Sequence, residues 1–340
     1  MSHQITIQPS GHTLTAQDDE TILAAALREG FMLPYGCRNG ACGTCKGKVL
    51  KGEIDYGEYQ SSALSDADID AGKALFCVAH ALGDITIECR EVGATKDIQI
   101  KTLPCRVHKL ERLAHDVMVL HLKLPANERL QFLAGQYIDI LLKDGQRRSF
   151  SLANAPHNDD FLQLHVRHIP GGAFSDHIFN TLKEKDILRF EGPLGSFFLR
   201  EDSDKPIIFM AGGTGFAPVK AMLEHAFYHH MNREMLLYWG ARQLRDLYQP
   251  QLPSQWQQEY PNFTFIPVLS DAAPTDAWPG RTGYVHEAIL HDFPSLSGFE
   301  VYACGAPGMV DAAHTVFIQH GLPEDAFFAD AFLYQTTAVK

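Results

Sequence analysis

Long apolar runs are missing from this chain of 340 residues, although hydrophobic residues make up 45% of it. None approaches the roughly 18 consecutive apolar residues of a membrane helix. Basic residues are also scarce, 29 Lys and Arg against 41 Asp and Glu, for a formal net charge of −12. That argues against nucleic acid as a partner, because phosphate binding needs clustered Lys and Arg. The N-terminus, Met-Ser-His-Gln-Ile-Thr-Ile, lacks a basic stretch followed by an apolar core, so no secretory signal is expected and a cytoplasmic location is. Three metal signatures are absent too. No His-Glu-x-x-His, no Glu-x-x-His and no Cys-x-His…Cys-x2-His pair occurs, which leaves zinc-protease, helical di-iron and Rieske chemistry without a site. Internal repeats and low-complexity segments are lacking as well.

What is present begins with cysteine. Cys37, Cys42 and Cys45 stand at C-x4-C-x2-C spacing, and Cys77 follows after 31 residues. This is the plant-type spacing for four thiolates around a [2Fe–2S] cluster. Gly36, Gly40 and Gly43 allow the loop to wrap closely and aim its N–H groups at sulfur. Structural zinc prefers two C-x2-C pairs and finds one here; zinc and inert buried thiols remain the alternatives. Cys89, Cys105 and Cys304 lie outside this set and read as free thiols in a reducing compartment.

The length calls for two or three domains. A hairpin is expected around Ser10-Gly11, then a helix from Glu20 to Arg28, capped by Asp18 or Asp19 and stopped by Gly30. Gly47–Leu50 reads as a strand, residues 64–72 as a short helix and Ile85–Ile87 as a closing strand. The polar stretch Gly93–Asp97 marks a boundary. From about residue 102, short strands (Val117–Leu124, Gln136–Leu142, Leu162–Arg167) separated by turn residues indicate a closed antiparallel barrel, interrupted by a helix over Phe174–Leu182. After Pro206, buried strands at Ile207–Met210, Leu236–Trp239, Phe263–Val268 and Glu300–Ala303 alternate with helical stretches. That is the pattern of a doubly wound parallel sheet.

Two pieces in the barrel carry further chemistry. Arg148-Ser-Phe150-Ser151 ends a strand, and Gly171-Gly172-Ala-Phe-Ser175 opens a helix, where free N–H groups and the helix dipole favour an anion. Each alone also fits an ordinary strand edge or helix cap. Gly212-Gly213-Thr214-Gly215 follows an apolar strand and precedes a helix, placing backbone amides at a helix N-terminus. Pro218 stands where a G-x-G-x-x-G fingerprint has its third glycine.

The four cysteines resemble those of the plant-type ferredoxin fold, across about the first 90 residues. Arg148–Ser151 with Gly171–Ser175, then Gly212–Pro218, then Trp239-Gly240-Ala241-Arg242 and Cys304-Gly305-Ala306-Pro307, resemble in order the motifs of the ferredoxin–NADP reductase superfamily. The resemblance implies a multidomain α+β and α/β chain. Residues 1–95 would be a β-grasp [2Fe–2S] ferredoxin domain, 101–200 a six-stranded FAD-binding barrel, and 205–340 a doubly wound NAD(P)H-binding domain. It implies that Arg148 pairs with the flavin pyrophosphate, a bidentate task suited to guanidinium. Phe150 packs on the isoalloxazine and Ser151 bonds near its N5, while Gly171, Gly172 and Ser175 hold the pyrophosphate. FMN is the alternative to FAD. Phe150 departs from the commoner Tyr, which keeps stacking and loses a hydroxyl contact.

The same resemblance places Gly212, Gly213, Thr214, Gly215, Pro218, Gly240, Arg242, Cys304 and Gly305 around the nicotinamide dinucleotide. Cys304 would lie beside the nicotinamide and flavin; on its own it also fits a small buried strand-end residue. Asp330-Ala331-Phe332 aligns with a Glu-x-aromatic element over the flavin, so Asp330 is either a hydride-site carboxylate or a surface acid. Asp246 after Arg245 is unfavourable beside a 2′-phosphate and points to NADH, with NADPH the alternative. The full order is similar to the reductase components of multicomponent oxygenases, with the CDP-6-deoxy-3,4-glucoseen reductase-like branch nearest in texture. It implies a hydride passed from NADH to FAD, then single electrons through the cluster to a separate oxygenase, hydroxylase or dehydrase. A redox-sensing or electron-storage protein, and a reductase of a diffusible ferric or flavin acceptor, are the other readings. Arg38, Asn39, Ala41 and Thr44 beside the cysteines are expected to face outward and meet the partner.

Overall fold

A computed structural model describes residues 2–92 and 98–332; the boundary expected over Gly93–Asp97 falls outside the described residues. By contact the chain divides into two compact units, Met1–Gln99 with Leu194–Phe197, and Ile100–Pro193 with Phe198–Lys340.

The first unit starts with a hairpin, β1 (Ser2–Gln8) and β2 (Thr13–Gln17), turning through Ser10-Gly11 as expected. Helix α1 (Ile22–Arg28) follows, with Ile22, Leu23, Ala25 and Ala26 buried. Its N-cap is Thr21, whose hydroxyl accepts from Ala24 N–H at 3.2 Å, rather than Asp18 or Asp19. Asp18 is drawn to His3 at 3.0 Å instead. Gly30, at φ +83°, ends the helix where a left-handed residue is required. Strand β3 (Lys46–Lys51), β4 (Ile54–Asp55), α2 (Asp66–Asp70), β5 (Lys73–Leu75), β6 (His80–Ala81) and β7 (Ile85–Glu88) complete the unit. The sheet order is β2-β1-β7-β3-β5, with β7 central, parallel to β1 and antiparallel to β3. This is the β-grasp arrangement.

The second unit opens with six antiparallel strands, β8 (Lys101–Arg112), β9 (Val117–Lys123), β10 (Tyr137–Leu141), β11 (Arg147–Ser151), β12 (Leu162–Arg167) and β13 (Ile187–Leu194). Their order is β11-β10-β13-β8-β9-β12. The two edges meet just past β11, where Leu152 bridges Leu164 and Ala153 N–H bonds Gln163 C=O at 2.8 Å. That seam closes the barrel and leaves neither edge open. Ile138, Ile140, Leu164 and Phe190 are fully buried in its interior, each worth about 2 kcal/mol in apolar area removed from water. Helix α3 (Ala173–Asn180) follows β12.

The remainder is a six-stranded parallel sheet. Its elements are β14 (Ile207–Gly212), α4 (Phe216–Tyr228), β15 (Met235–Ala241), α5 (Gln251–Glu259), β16 (Phe263–Leu269), β17 (Arg281–Thr282), α6 (Val285–Asp292), β18 (Glu300–Gly305), α7 (Pro307–Gln319) and β19 (Phe327–Ala331). The order β17-β16-β15-β14-β18-β19 reverses direction between β14 and β18. Right-handed crossovers from this point carry the chain to opposite faces of the sheet, so a crevice is expected between the loops that leave the carboxyl ends of β14 and β18. Among the described residues no helix is long and apolar enough to cross a membrane.

Candidate functional site

In the first unit the loop before β3 gathers sulfur. Ala41 N–H points at Cys37 Sγ and Cys37 N–H at Cys42 Sγ, both at 3.4 Å. Gly40 adopts φ +72°, and a Cβ there would come within 2.7 Å of the Glu58 carbonyl, so only glycine lets the loop pass. Cys77 arrives just after β5, where Phe76 N–H bonds Cys45 C=O at 3.1 Å. Its thiol is pulled down by Cys37 and pushed up by Cys45 and by burial, for a net rise to about 12. The Cys42 thiol is pushed up by its hydrogen bond with Cys37 and by burial. Cys42 and Cys77 thus resist ionising beside Cys37 and Cys45, and cationic charge among these sulfurs would relieve that. The donor set fits an iron–sulfur cluster. Asn39 is exposed as expected, whereas Ala41 is buried at 8%. Arg38 is half-buried at φ +63°. Thr44 turns its hydroxyl to Cys42 Sγ at 3.3 Å, so Ala41 and Thr44 do not form an outward face.

In the second unit, Ser151, Cys304 and Asp330 converge. Cys304 closes β18 opposite Asp330 of β19 in parallel register, and Ser151 Oγ donates to Asp330 Oδ2 at 3.5 Å. Phe332 N–H bonds Gly305 C=O at 2.8 Å, holding the aromatic residue beside the crevice. Asp330 is half-buried at this wall rather than out on the surface, and burial pushes its carboxyl up to about 6 against the pull of Ser151. Burial and the Asp330 charge raise the Cys304 thiol well above its ordinary value.

The glycine-rich turn packs against the same strand end. A Cβ on Gly215 would sit 2.1 Å from the Cys304 carbonyl, and one on Gly212 would meet Met309 Sδ at 2.7 Å. Gly213 takes φ +54°, and its carbonyl accepts from Trp239 Nε1 at 3.0 Å. Thr214 lies within this turn, and Pro218 falls in the first turn of α4, where a missing N–H costs nothing. Gly240 leaves space for Val285, whose Cβ would be 3.1 Å from an added Cβ. Arg242 is 82% exposed and lies 4.0 Å from Asp271.

On the barrel side, Arg148 is half-buried in β11 and donates to Arg147 C=O at 2.8 Å and Gln146 Oε1 at 2.6 Å. Phe150 lies 5.7 Å from Phe174, centroid to centroid. Gly171 at φ +78° has open space where a Cβ would project. Gly172 caps α3, whose first-turn N–H groups lack intrahelical partners. Ser175 behaves differently from a plain anion ligand. Its hydroxyl donates within the turn, at 2.9 Å from Ile169 C=O and 3.0 Å from Gly172 C=O, and accepts from Ile169 N–H. Its part is to shape the turn, which Gly172 N–H also closes by bonding Ile169 C=O at 2.8 Å.

Three family models match in order: a 2Fe-2S iron-sulfur cluster binding domain over residues 5–82, an oxidoreductase FAD-binding domain over 104–199 and an oxidoreductase NAD-binding domain over 209–315. The CDP-6-deoxy-L-threo-D-glycero-4-hexulose-3-dehydrase reductase of Yersinia pestis is 43% identical over 98% of this chain and 99% of that protein. This chain belongs to the [2Fe–2S] flavoprotein reductase family. Terephthalate 1,2-dioxygenase reductase component 1 of Comamonas sp. is 37% identical over 99% of both chains. The crystal structure of a cytochrome P450 reductase from Amycolatopsis shares 34% identity at a TM-score of 0.81, covering 98% of this chain and all (100%) of that one. The reductase therefore carries domains for a [2Fe–2S] cluster, FAD and NAD, and the zinc and FMN alternatives fall away.

Sequence reasoning missed several residues of this reductase site. Arg167, at the end of β12, lies with its guanidinium 3.2 Å from where a Gly213 Cβ would be. Its Nε is 3.4 Å from Asp116 Oδ2, and its Nε and Nη2 find no hydrogen-bond partner among the described residues. A cation held beside an anion-binding turn is invisible in sequence, because 46 positions separate it from Gly213. His165 and Tyr248 form a buried pair at 2.9 Å. Tyr248, with Leu113, His115, Arg245 and Gln251, lines a cavity of about 670 Å³ between the β8–β9 turn and the segment after β15.

Proposed function

We propose that this chain is the electron-transfer reductase of a multicomponent system, taking electrons from NADH and delivering them singly to a separate terminal oxygenase, hydroxylase or dehydrase. The observation that carries the reading is the convergence of Ser151, Cys304 and Asp330 where the barrel seam meets the glycine-rich turn. When bound, the flavin accepts a hydride from the reduced nicotinamide, and the cluster carries one electron at a time. Cys37, Cys42, Cys45 and Cys77 would hold the cluster. Arg148, the Gly171 amide and the first-turn N–H groups of α3 would hold the flavin pyrophosphate, with Phe150 and Phe332 against the ring system. Gly212–Gly215 and the Arg167 cation would receive the dinucleotide, whose adenosine end would lie toward the cavity lined by Tyr248. Asp246 lies beside that cavity, 3.9 Å from His115 and 4.0 Å from Arg245, and its charge opposes a 2′-phosphate, which favours NADH.

Residues 1–95, 101–200 and 205–340 would serve the three cofactors in that order. Cys89, Cys105 and Cys304, outside the cluster set and in no disulfide, suit the reducing cytoplasm. Greater identity to the dehydrase reductase than to the dioxygenase component makes a dehydrase the first partner to test. The deciding experiment is steady NADH-dependent reduction of ferricyanide and cytochrome c by the purified holoprotein. Absence of turnover would overturn the reading, and cytochrome c reduction that survives loss of the cluster would favour a diffusible acceptor.

A further inference from the structure

Lys220 is a charged residue in an apolar helix face. It sits in α4, five positions after Gly215, and is 6% exposed among neighbours such as Val219, Ala221 and Leu223 that are fully buried. Burying an ammonium costs several kcal/mol unless its donors are all satisfied. Here they are. Nζ donates to Ala153 C=O at 2.9 Å, approaches Gln163 Oε1 at 3.5 Å and pairs with Glu224 at 2.7 Å, one turn further along α4.

The two barrel acceptors belong to opposite sides of the closing seam. Ala153 lies two residues beyond Ser151, and Gln163 belongs to β12, whose C=O accepts Ala153 N–H at 2.8 Å. One side chain thus spans from the helix that begins at the glycine-rich turn to both edges of the seam beside Ser151. An apolar residue would fill the same space without the desolvation cost, so the charge is retained for what it connects.

We propose that Lys220 is a positioning residue for hydride transfer, fixing the dinucleotide helix against the flavin strand so that Ser151 and Cys304 stay in register. Hydride transfer needs reacting atoms within about 3–3.5 Å, and a misplacement of 1 Å costs about 100-fold. Lys220 touches neither reactant; it acts through Ala153. The proposal rests on the assignment of flavin to the barrel and of the dinucleotide to Gly212–Gly215.

The test is Lys220→Met, which keeps the unbranched stem and removes the charge, assayed in the FAD- and cluster-loaded protein. FAD content and the Kd for NAD+ should stay within about two-fold of the parent, and the flavin should still be reduced fully by dithionite. The anaerobic rate of flavin reduction by NADH should fall by about ten-fold or more. Gln163→Met removes one acceptor from the seam and should slow the same step by about three-fold with less risk to folding. An unchanged reduction rate in Lys220→Met, whatever the loss in Tm, overturns the proposal and leaves Lys220 a packing residue. If Lys220→Met does not fold, a parental rate in Gln163→Met overturns it instead. Failure of NADH to reduce the flavin in the parent protein would defeat the assignment of the site itself, a result separable from either variant.

Discussion

Cys304 and Asp330 stand directly opposite each other across two parallel strands, so a thiol and a carboxyl share one wall of the crevice. Burial pushes the carboxyl up to about 6 from 3.8. Between those values the folded chain keeps a proton that the unfolded chain has released. Stability from this group therefore falls as pH rises through the window and stays low above it. Asp330→Asn should flatten that decline, gaining on the order of 2 kcal/mol at pH 8 and nothing near pH 4. Urea unfolding at both pH values measures it, and equal gains at the two would refute the assignment.

Cys42→Ser removes one of four thiolates. Iron content and the cluster's visible absorption should be lost, while NADH still reduces the flavin and ferricyanide, and cytochrome c reduction drops sharply. Loss of flavin reduction in a folded Cys42→Ser protein would break the linear order of cofactors.

Gly215→Ala tests the closeness of the turn to β18. The new Cβ would meet backbone, the Cys304 carbonyl oxygen and carbon, at 2.1 and 2.6 Å, and backbone cannot move aside like a side-chain tip. A loss of about 2–3 kcal/mol in stability is expected, with weakened NAD+ binding in whatever fraction folds. Parental Tm and Kd together would mean that the turn sits further from Cys304.

Arg167→Gln should raise KM for NADH by about ten-fold, or about 1.4 kcal/mol, the scale of one charge-assisted contact. Its kcat and FAD content should be little changed. A loss of FAD with unchanged KM would reassign the cation to the flavin pyrophosphate.

Much of this architecture is legible in the chain because its signals are local. Cys37, Cys42 and Cys45 are spaced within one loop, Gly212–Gly215 abuts a buried strand, and the βα alternation after Pro206 reads directly as a parallel sheet. What was illegible depends on partners far away in sequence. Asp18 was a better cap by residue type than Thr21 until His3 claimed it. Ser175 looked like a phosphate ligand, yet its hydroxyl is consumed by Ile169 and Gly172. Lys220 reads as one more helix residue, and only its contacts with the barrel seam, to Gln163 57 positions away and Ala153 67 away, show its use.

The order of strands in the first unit also bears on how the protein is made. Strand β7, the last of the sheet to leave the ribosome, lies at its centre between β1 and β3. The hairpin and the cysteine loop therefore emerge before their shared neighbour exists, and the long-range pairings that hold them form late. Cys37, Cys42 and Cys45 precede both Cys77 and the strand Ile85–Glu88 that completes their sheet. Iron would be captured stably only by a completed sheet, which makes cluster insertion a step that follows translation of this unit.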